Sequence, residues 1–367
     1  MYSHNPLPIT QVHRFCSPAV SVFLQTPILG VDLGDSLNSA YYLRSASNVL
    51  SDRPLISIII PCKSVDSYAK ECVKRCSELS YNNREIILLP DSVSEEISDV
   101  KIIPTGPKTP GAKRNIGVAN CNGELCAFID SDAYPRHDWL TNAVNYFEDR
   151  SVVAVGGPGL TPEEDNFLQK SGGYVLSSFM IGRVSRRYIS KQSVDSDDIH
   201  SCNFIVKKDA LLEVGGWNEK YWPGEDTLIC LNLKMAGKKM VEAFDVIVYH
   251  HRRPLFIPHL KQVSRFGLHR GFFAKTFRGN SLKFTYFIPS FLVLSFIFCL
   301  LVYVFVPLII NYILIVIASY VFLTLLASLN EIRNIRYAIL VWPGLILTHF
   351  IYGSYFIAGL AERDLNK

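Results

Sequence analysis

Asp130-Ser131-Asp132 places two carboxylates one residue apart, directly after the apolar run Leu125 to Ile129. Paired carboxylates at the end of a buried strand can hold a divalent cation and share it with the phosphates of a ligand, because Mg²⁺ and Mn²⁺ favour carboxylate and phosphate oxygens. Taken alone, such a triplet also fits a solvated turn. A second pair, Glu225-Asp226, opens the segment Thr227 to Leu231, which reads as a helix. Acids at a helix start complement its dipole, and one of them can also take a proton as a general base. His250, His251, Arg252 and Arg253 follow the apolar run Val246 to Tyr249. A histidine there can complete a metal shell, and an arginine can stabilise charge on a departing phosphate group. Strand side chains alternate, so the two histidines need not face the same way, and His250 is taken as the ligand. A basic membrane-surface patch is the other reading of these four residues.

The elements that must position these groups can be read from the apolar pattern. Leu55 to Pro61 is a β-branched run stopped by proline, which predicts a buried parallel strand. Ser67 to Leu79 has helical character, Glu85 to Leu89 is a second buried strand, and Lys101 to Ile103 a short third. Gly111 to Asn120 reads as a helix, Leu125 to Ile129 as a strand, Trp139 to Phe147 as a helix and Val152 to Gly157 as a strand. Strands alternating with helices predict an α/β domain, whose ligands bind beyond the carboxyl ends of the strands. Asp91, Asp130 and Asp132 all lie at such ends.

Around the first pair the order of residues is informative. Pro110-Gly111-Ala112-Lys113-Arg114-Asn115-Ile116-Gly117 precedes the strand and the Asp-Ser-Asp triplet; Gly215-Gly216-Trp217-Asn218 precedes Gly224-Glu225-Asp226; Gln262-Val263-Ser264-Arg265-Phe266 comes last. In this ordered set, over about residues 55 to 270, the chain resembles family 2 glycosyltransferases of the GT-A fold, a Rossmann-like mixed-sheet α/β architecture. The Gln-x-x-Arg segment is similar to one seen in membrane-embedded members. The resemblance implies a nucleotide-diphosphate sugar donor, with a UDP-sugar favoured, and Mg²⁺ or Mn²⁺ as cofactor. It implies Asp226 as general base in an inverting transfer, with Glu225 the other candidate. Asp132 is the expected metal ligand; Asp130 either binds ribose or sugar, or reaches the metal directly or through water. Asp91 is placed to meet the nucleobase, with a turn role as its alternative. Arg114, Lys113 and Arg252 are expected at the nucleotide or its diphosphate, Lys113 being equally suited to a helix surface. Gln262 and Arg265, at i and i+3, would hold the acceptor or the diphosphate near the membrane, or belong to a juxtamembrane amphipathic helix.

Composition sets the remaining bounds. The chain has 367 residues, 49% of them hydrophobic, and a net charge of +4 that gives no reason to expect nucleic acid. Its nine cysteines show no C-x-x-C pair, which fits reduced thiols in a cytosolic core better than zinc. No basic segment followed by an apolar run opens the chain, so no cleavable signal peptide is expected. The apolar excess sits at the end: spans are expected at about 286–305, 308–329 and 338–360, since one crossing needs roughly 20 residues. The expected organisation is an irregular extension over 1–52, a catalytic domain over 53–260, a basic juxtamembrane segment over 261–285 and the membrane helices. Lysine and arginine placement then predicts a cytoplasmic catalytic domain on the inner (plasma) membrane and a short tail outside. The expected acceptor is a lipid-linked or membrane-proximal glycan, as in bacterial surface polysaccharide assembly. A processive synthase, an inactive scaffold of the same fold and a nucleotidyltransferase are the competing functions.

Overall fold

The computed structural model describes residues 50–365 apart from 94, 307 and 308, so the expected extension lies almost wholly outside the described residues. The strands β1 (Ile56–Pro61), β2 (Arg84–Leu89), β3 (Val100–Ile102) and β4 (Leu125–Phe128) run parallel in the order β3-β2-β1-β4. Every residue of β1 and β4 is buried. That is why these strands read as unbroken apolar runs: Ile56, Ile58 and Ile60 fill one core below the sheet, while Ile59, Ile87 and Phe128 fill the other above it. Beyond β4 the sheet is mixed. β5 (Ala133–Pro135), β6 (Val152–Gly156), β7 (Gly159–Leu160), β8 (Val194–Asp195), β9 (Phe204–Lys207), β10 (Lys239–Glu242) and β11 (Val248–His250) complete the strands. β9 joins β4 and β6 antiparallel, and β10 and β8 continue the main sheet. A separate three-stranded sheet has the order β5-β11-β7.

The helices of the α/β part are α1 (Ser67–Ser77), α2 (Pro110–Ala119), α3 (Trp139–Tyr146), α4 (Phe167–Ser177), α5 (Lys208–Glu213) and α6 (Glu225–Met235). A 3₁₀ segment, Phe179–Arg187, follows α4. Element bounds fall within about two residues of the sequence pattern, the usual uncertainty of helix and strand ends. The described cysteines are free, and all but Cys299 are buried.

The last third holds α7 (Ile257–Thr276), α8 (Arg278–Ser281), α9 (Phe284–Phe305), α10 (Ile310–Glu331) and α11 (Ile335–Ala361). α9, α10 and α11 are each long and apolar enough to cross a membrane. α9 and α10 turn Phe284, Phe291, Phe298, Phe305, Ile315 and Phe322 outward, an apolar surface suited to lipid. α11 behaves differently. It packs along α7, with His259 Nε2 3.0 Å from Thr348 Oγ1. A Cβ on Gly271 would lie 2.1 Å from Phe356 O, and one on Gly359 would lie 2.0 Å from Leu268 O, so the two backbones touch.

Both ends of α11 reach the α/β part. Tyr337 stacks on Phe167 at 4.6 Å, Asp364 pairs with Lys220 at 3.7 Å, and Leu365 packs on the Tyr221 cluster. These contacts bear on the tail expected across the membrane from the catalytic domain, because apolar length alone could not reveal that both ends of α11 touch the α/β part. An epitope tag appended to the C-terminus should be cut by protease in the same sealed vesicles in which the α/β part is cut. Protection of the tag there would restore the three-crossing arrangement.

Candidate active site

The small sheet builds the centre of the site. β4 ends at Phe128, the chain passes Asp130 and Asp132, and β5 pairs antiparallel with β11 so that Ala133 lies opposite His250. The His251 amide donates to Asp132 O at 3.0 Å, which carries the pairing one residue further. Asp130, Asp132 and His250 thus converge, with one ligand atom from each inside 4.8 Å of the others. Two carboxylates and an imidazole are a donor set that fits Mn²⁺ or Mg²⁺. His250 Nε2 stands 3.2 Å from Asp132 Oδ1, and Arg253 Nη2 stands 3.2 Å from Asp132 Oδ2. Burial favours a protonated Asp132, but the positive His250 and Arg253 beside it win and hold its carboxyl down to about 2. Burial likewise opposes a charged His250, yet Cys202 and Asp132 together push it up to about 10. Cys202 also lies against His200, Sγ to Nδ1 2.9 Å, and these rings draw its thiol down to about 6 against the effect of burial. The two carboxylates make this a pocket that attracts positive charge, as a divalent-cation site requires.

His251 points elsewhere, to Asp165 at 2.6 Å and Glu71 at 3.2 Å, as strand alternation requires. Arg252 is corrected from its expected diphosphate role. It is 5% exposed, its guanidinium is spent on Gly159 O and Thr161 Oγ1, and it stacks over Tyr188 at 4.8 Å. Arg253 instead presents the exposed cation beside Asp132. Counting by twos from His250 favours Arg252, but β11 ends at His250 and the parity ends with it.

The first two sequence blocks meet each other and the Asp-Ser-Asp triplet in space. Arg114 is 1% exposed and forks: Nη1 donates to Glu225 Oε1 at 2.8 Å, and Nη2 to Asp130 Oδ1 at 2.8 Å and Ser201 Oγ at 3.0 Å. Its guanidinium stacks over Trp217 at 4.8 Å. The neighbouring Asn115 clasps the backbone of the same tryptophan, donating to Trp217 O and accepting from Trp217 N, each at 2.9 Å. Gly216 makes this fit possible: its φ is +74°, and a Cβ there would sit 2.8 Å from Asn115 Oδ1. Gly224 caps α6 at φ +116°, and a Cβ there would collide with Phe273 at 2.5 Å.

Lys113 is turned inward. Its ammonium donates to Cys62 O at 2.6 Å, to Leu89 O at 3.2 Å and to Asp91, which occupies all three of its donors. It therefore holds Asp91 at the end of β2 and is not free to meet a diphosphate. Glu225 and Asp226 are adjacent yet differ in setting. Glu225 is 4% exposed and locked to Arg114; burial raises its carboxyl above the ordinary range, with Arg114 opposing and Asp226 reinforcing the rise. Asp226 is half-buried, accepts from Thr227 N at 2.7 Å, and faces Arg187 Nη1 at 3.4 Å. Gln262 is half-buried and Arg265 exposed on α7, and no hydrogen bond or ion pair ties either to the carboxylates among the described residues.

Parts of the chain are similar to known proteins. Residues 57–215 match the family described as glycosyl transferase family 2. A pre-mycofactocin glycosyltransferase of Mycobacterium tuberculosis is 29% identical over 149 residues, covering 40% of this chain and 31% of that protein. The chain's match therefore spans about a third of that relative's length. A Methanococcus voltae protein, named as a dolichyl N-acetyl-α-D-glucosaminyl phosphate 3-β-D-2,3-diacetamido-2,3-dideoxy-β-D-glucuronosyltransferase, is 22% identical over 238 residues, covering 59% of this chain and 73% of that protein. Among solved structures, the mannosyltransferase PcManGT from Pyrobaculum calidifontis, in complex with GDP-Man and Mn²⁺, superposes with a TM-score of 0.59 at 15% identity, covering 90% of this chain and 96% of that one. At that identity the likeness establishes the GT-A fold.

Proposed function

We propose that this chain, whose residues 57–215 match glycosyl transferase family 2, moves a sugar from a nucleotide-diphosphate donor to a hydroxyl of a lipid-linked or membrane-proximal glycan. The observation that carries this reading is the convergence of Asp130, Asp132 and His250 within 4.8 Å, joined through Arg114 to the Glu225-Asp226 turn. Asp130, Asp132 and His250 would hold Mg²⁺ or Mn²⁺, which when bound offsets charge on the departing nucleotide diphosphate. Arg253 lies beside them, free to pair with the same phosphates. Asp91, held by Lys113, faces the nucleobase. Asp226 takes the proton of the acceptor hydroxyl as it attacks the anomeric carbon, in a single inverting displacement. Glu225 is unsuited to that role because Arg114 occupies it. The named acceptor of the Methanococcus relative and the outward apolar surface of α9 and α10 favour a lipid-linked acceptor, with the α/β part on the cytoplasmic face of the plasma membrane.

The test is transfer by the detergent-purified protein from a panel of UDP- and GDP-sugars, with and without a chelator. Removal of divalent metal should stop transfer, and Mn²⁺ or Mg²⁺ should restore it. In Asp132→Ala, calorimetric binding of the nucleoside diphosphate should lose its dependence on Mn²⁺. Metal-independent transfer that survives Asp132→Ala would exclude this site.

A further inference from the structure

Asp226 does not stand alone; it is tied to a second aspartate that no sequence block singles out. Arg187, at the end of the 3₁₀ segment, lies between the two: its Nη1 is 3.4 Å from Asp226 Oδ2 and its Nη2 is 2.7 Å from Asp198 Oδ1. The Thr227 hydroxyl makes a second bridge, 3.4 Å from Asp198 Oδ1 and 3.4 Å from Asp226 Oδ1. Asp198 is in turn gripped from the membrane side. Arg270 of α7 reaches its Oδ2 at 3.2 Å, and the Tyr286 hydroxyl, in the first turn of α9, donates to the same oxygen at 3.0 Å. Arg270 also stacks over the Tyr286 ring at 4.6 Å. The preceding residue is held as well: Asp197 pairs with Lys234 of α6 at 2.9 Å and with Lys283. Asn280 of α8 donates to Thr227 O at 2.8 Å and to Asp197 O at 3.2 Å.

We propose that Asp198 is the positioning residue for Asp226, acting through Arg187 and Thr227, and that the foot of the first membrane helix is part of the device through Tyr286. This rests on the reading of Asp226 as the base. The chemistry supports a positioning role over a plain structural clamp. Two aspartates and two arginines balance in charge, so Arg187 is shared and does not neutralise Asp226 outright. A shared guanidinium fixes the direction of the carboxylate while leaving a lone pair on Asp226 Oδ2 for the acceptor proton. With Asp198 gone, Arg187 would be free to turn fully onto Asp226 and misdirect it, and small displacements at a reacting group are costly in rate.

The experiment uses the full chain in detergent with the best donor from the panel. Asp198→Asn should lower kcat about tenfold, and Tyr286→Phe, which deletes one hydroxyl, about threefold. Donor KM and nucleotide affinity should stay within about twofold, because neither residue contacts Asp130, Asp132 or His250. Asp198→Glu should recover part of the rate. If kcat is unchanged in both Asp198→Asn and Tyr286→Phe while Asp226→Asn is inactive, Asp198 has no positioning role although the base assignment stands. Loss of donor affinity in step with kcat would make the cluster structural and also overturn the proposal. Normal turnover by Asp226→Asn would remove the base reading itself.

Discussion

Asp226→Asn is expected to lower kcat by at least about 10²-fold, the scale of a lost general base, while thermal unfolding and donor binding stay near wild type. The substitution keeps size and shape. One side-chain oxygen remains to accept from Thr227 N, at 2.7 Å in the wild type, and only the long 3.4 Å contact to Arg187 is weakened. Rescue by the adjacent acid is not expected, because Glu225 is buried and its carboxylate is held by Arg114 at 2.8 Å. Single-turnover transfer, set beside calorimetric nucleotide binding, separates loss of chemistry from loss of donor. Turnover by this variant at the wild-type rate would move the base role elsewhere.

Arg114→Met should damage both fold and function, and Arg114→Lys should be only a partial remedy. The guanidinium is 1% exposed and joins Asp130 to Glu225. Breaking a buried ion pair by removing one partner costs about 3–5 kcal/mol, since the other charge is left without compensation. Two features reduce that cost here. Asp130 is only partly buried, and Glu225, already raised by burial, can take a proton when Arg114 no longer opposes this. A loss near the lower end, about 3 kcal/mol, is therefore expected for Met. Lysine keeps a charge but presents a single point where two carboxylates and Ser201 are now bridged by a planar fork, and its stacking on Trp217 is lost. Thermal unfolding in detergent and Mn²⁺-dependent nucleotide affinity should both fall in the order wild type, Lys, Met. A fully stable Arg114→Met would mean that the two acids tolerate burial without a partner.

The α/β strands were legible because their apolar runs are buried on both faces, and β1 from Ile56 to Pro61 is the clearest case. The order of the three sequence blocks was legible too, and the meaning of the first two is now physical: Asn115 and Arg114 hold Trp217, so these two are the halves of one contact. What escaped the sequence is direction. Lys113 and Arg114 are neighbours on one helix, yet one turns to Asp91 and the other to Asp130 and Glu225. Arg252 and Arg253 differ in the same way, because the strand that would set their parity stops two residues earlier. Arg187 and Asp198 were invisible for another reason: one ends a 3₁₀ segment kinked at Gly182 and the other lies in a loop, so no sustained period says which side chains face inward. The acid-rich stretch Asp195-Ser196-Asp197-Asp198 was the available signal, and it resembles any solvated loop. For α11 the apolar run predicted a helix correctly, but an apolar face looks the same whether lipid or α7 covers it.

The contact between α7 and α11 bears on the order in which the molecule is made. The ribosome delivers Asp91, Arg114, Asp130, Asp132, Asp226 and His250 well before Tyr286, and α11 follows later still. Domains fold as they emerge, N-terminal parts first, so a nascent chain can own every signature residue and still lack the hydroxyl that grips Asp198 and the helix whose backbone seals Gly267 and Gly271. Such an intermediate has a recognisable but unfinished site. Completion waits for Tyr286 to reach Asp198 and for α11 to settle on α7; on the proposed function, that would tie the onset of activity to arrival at the membrane.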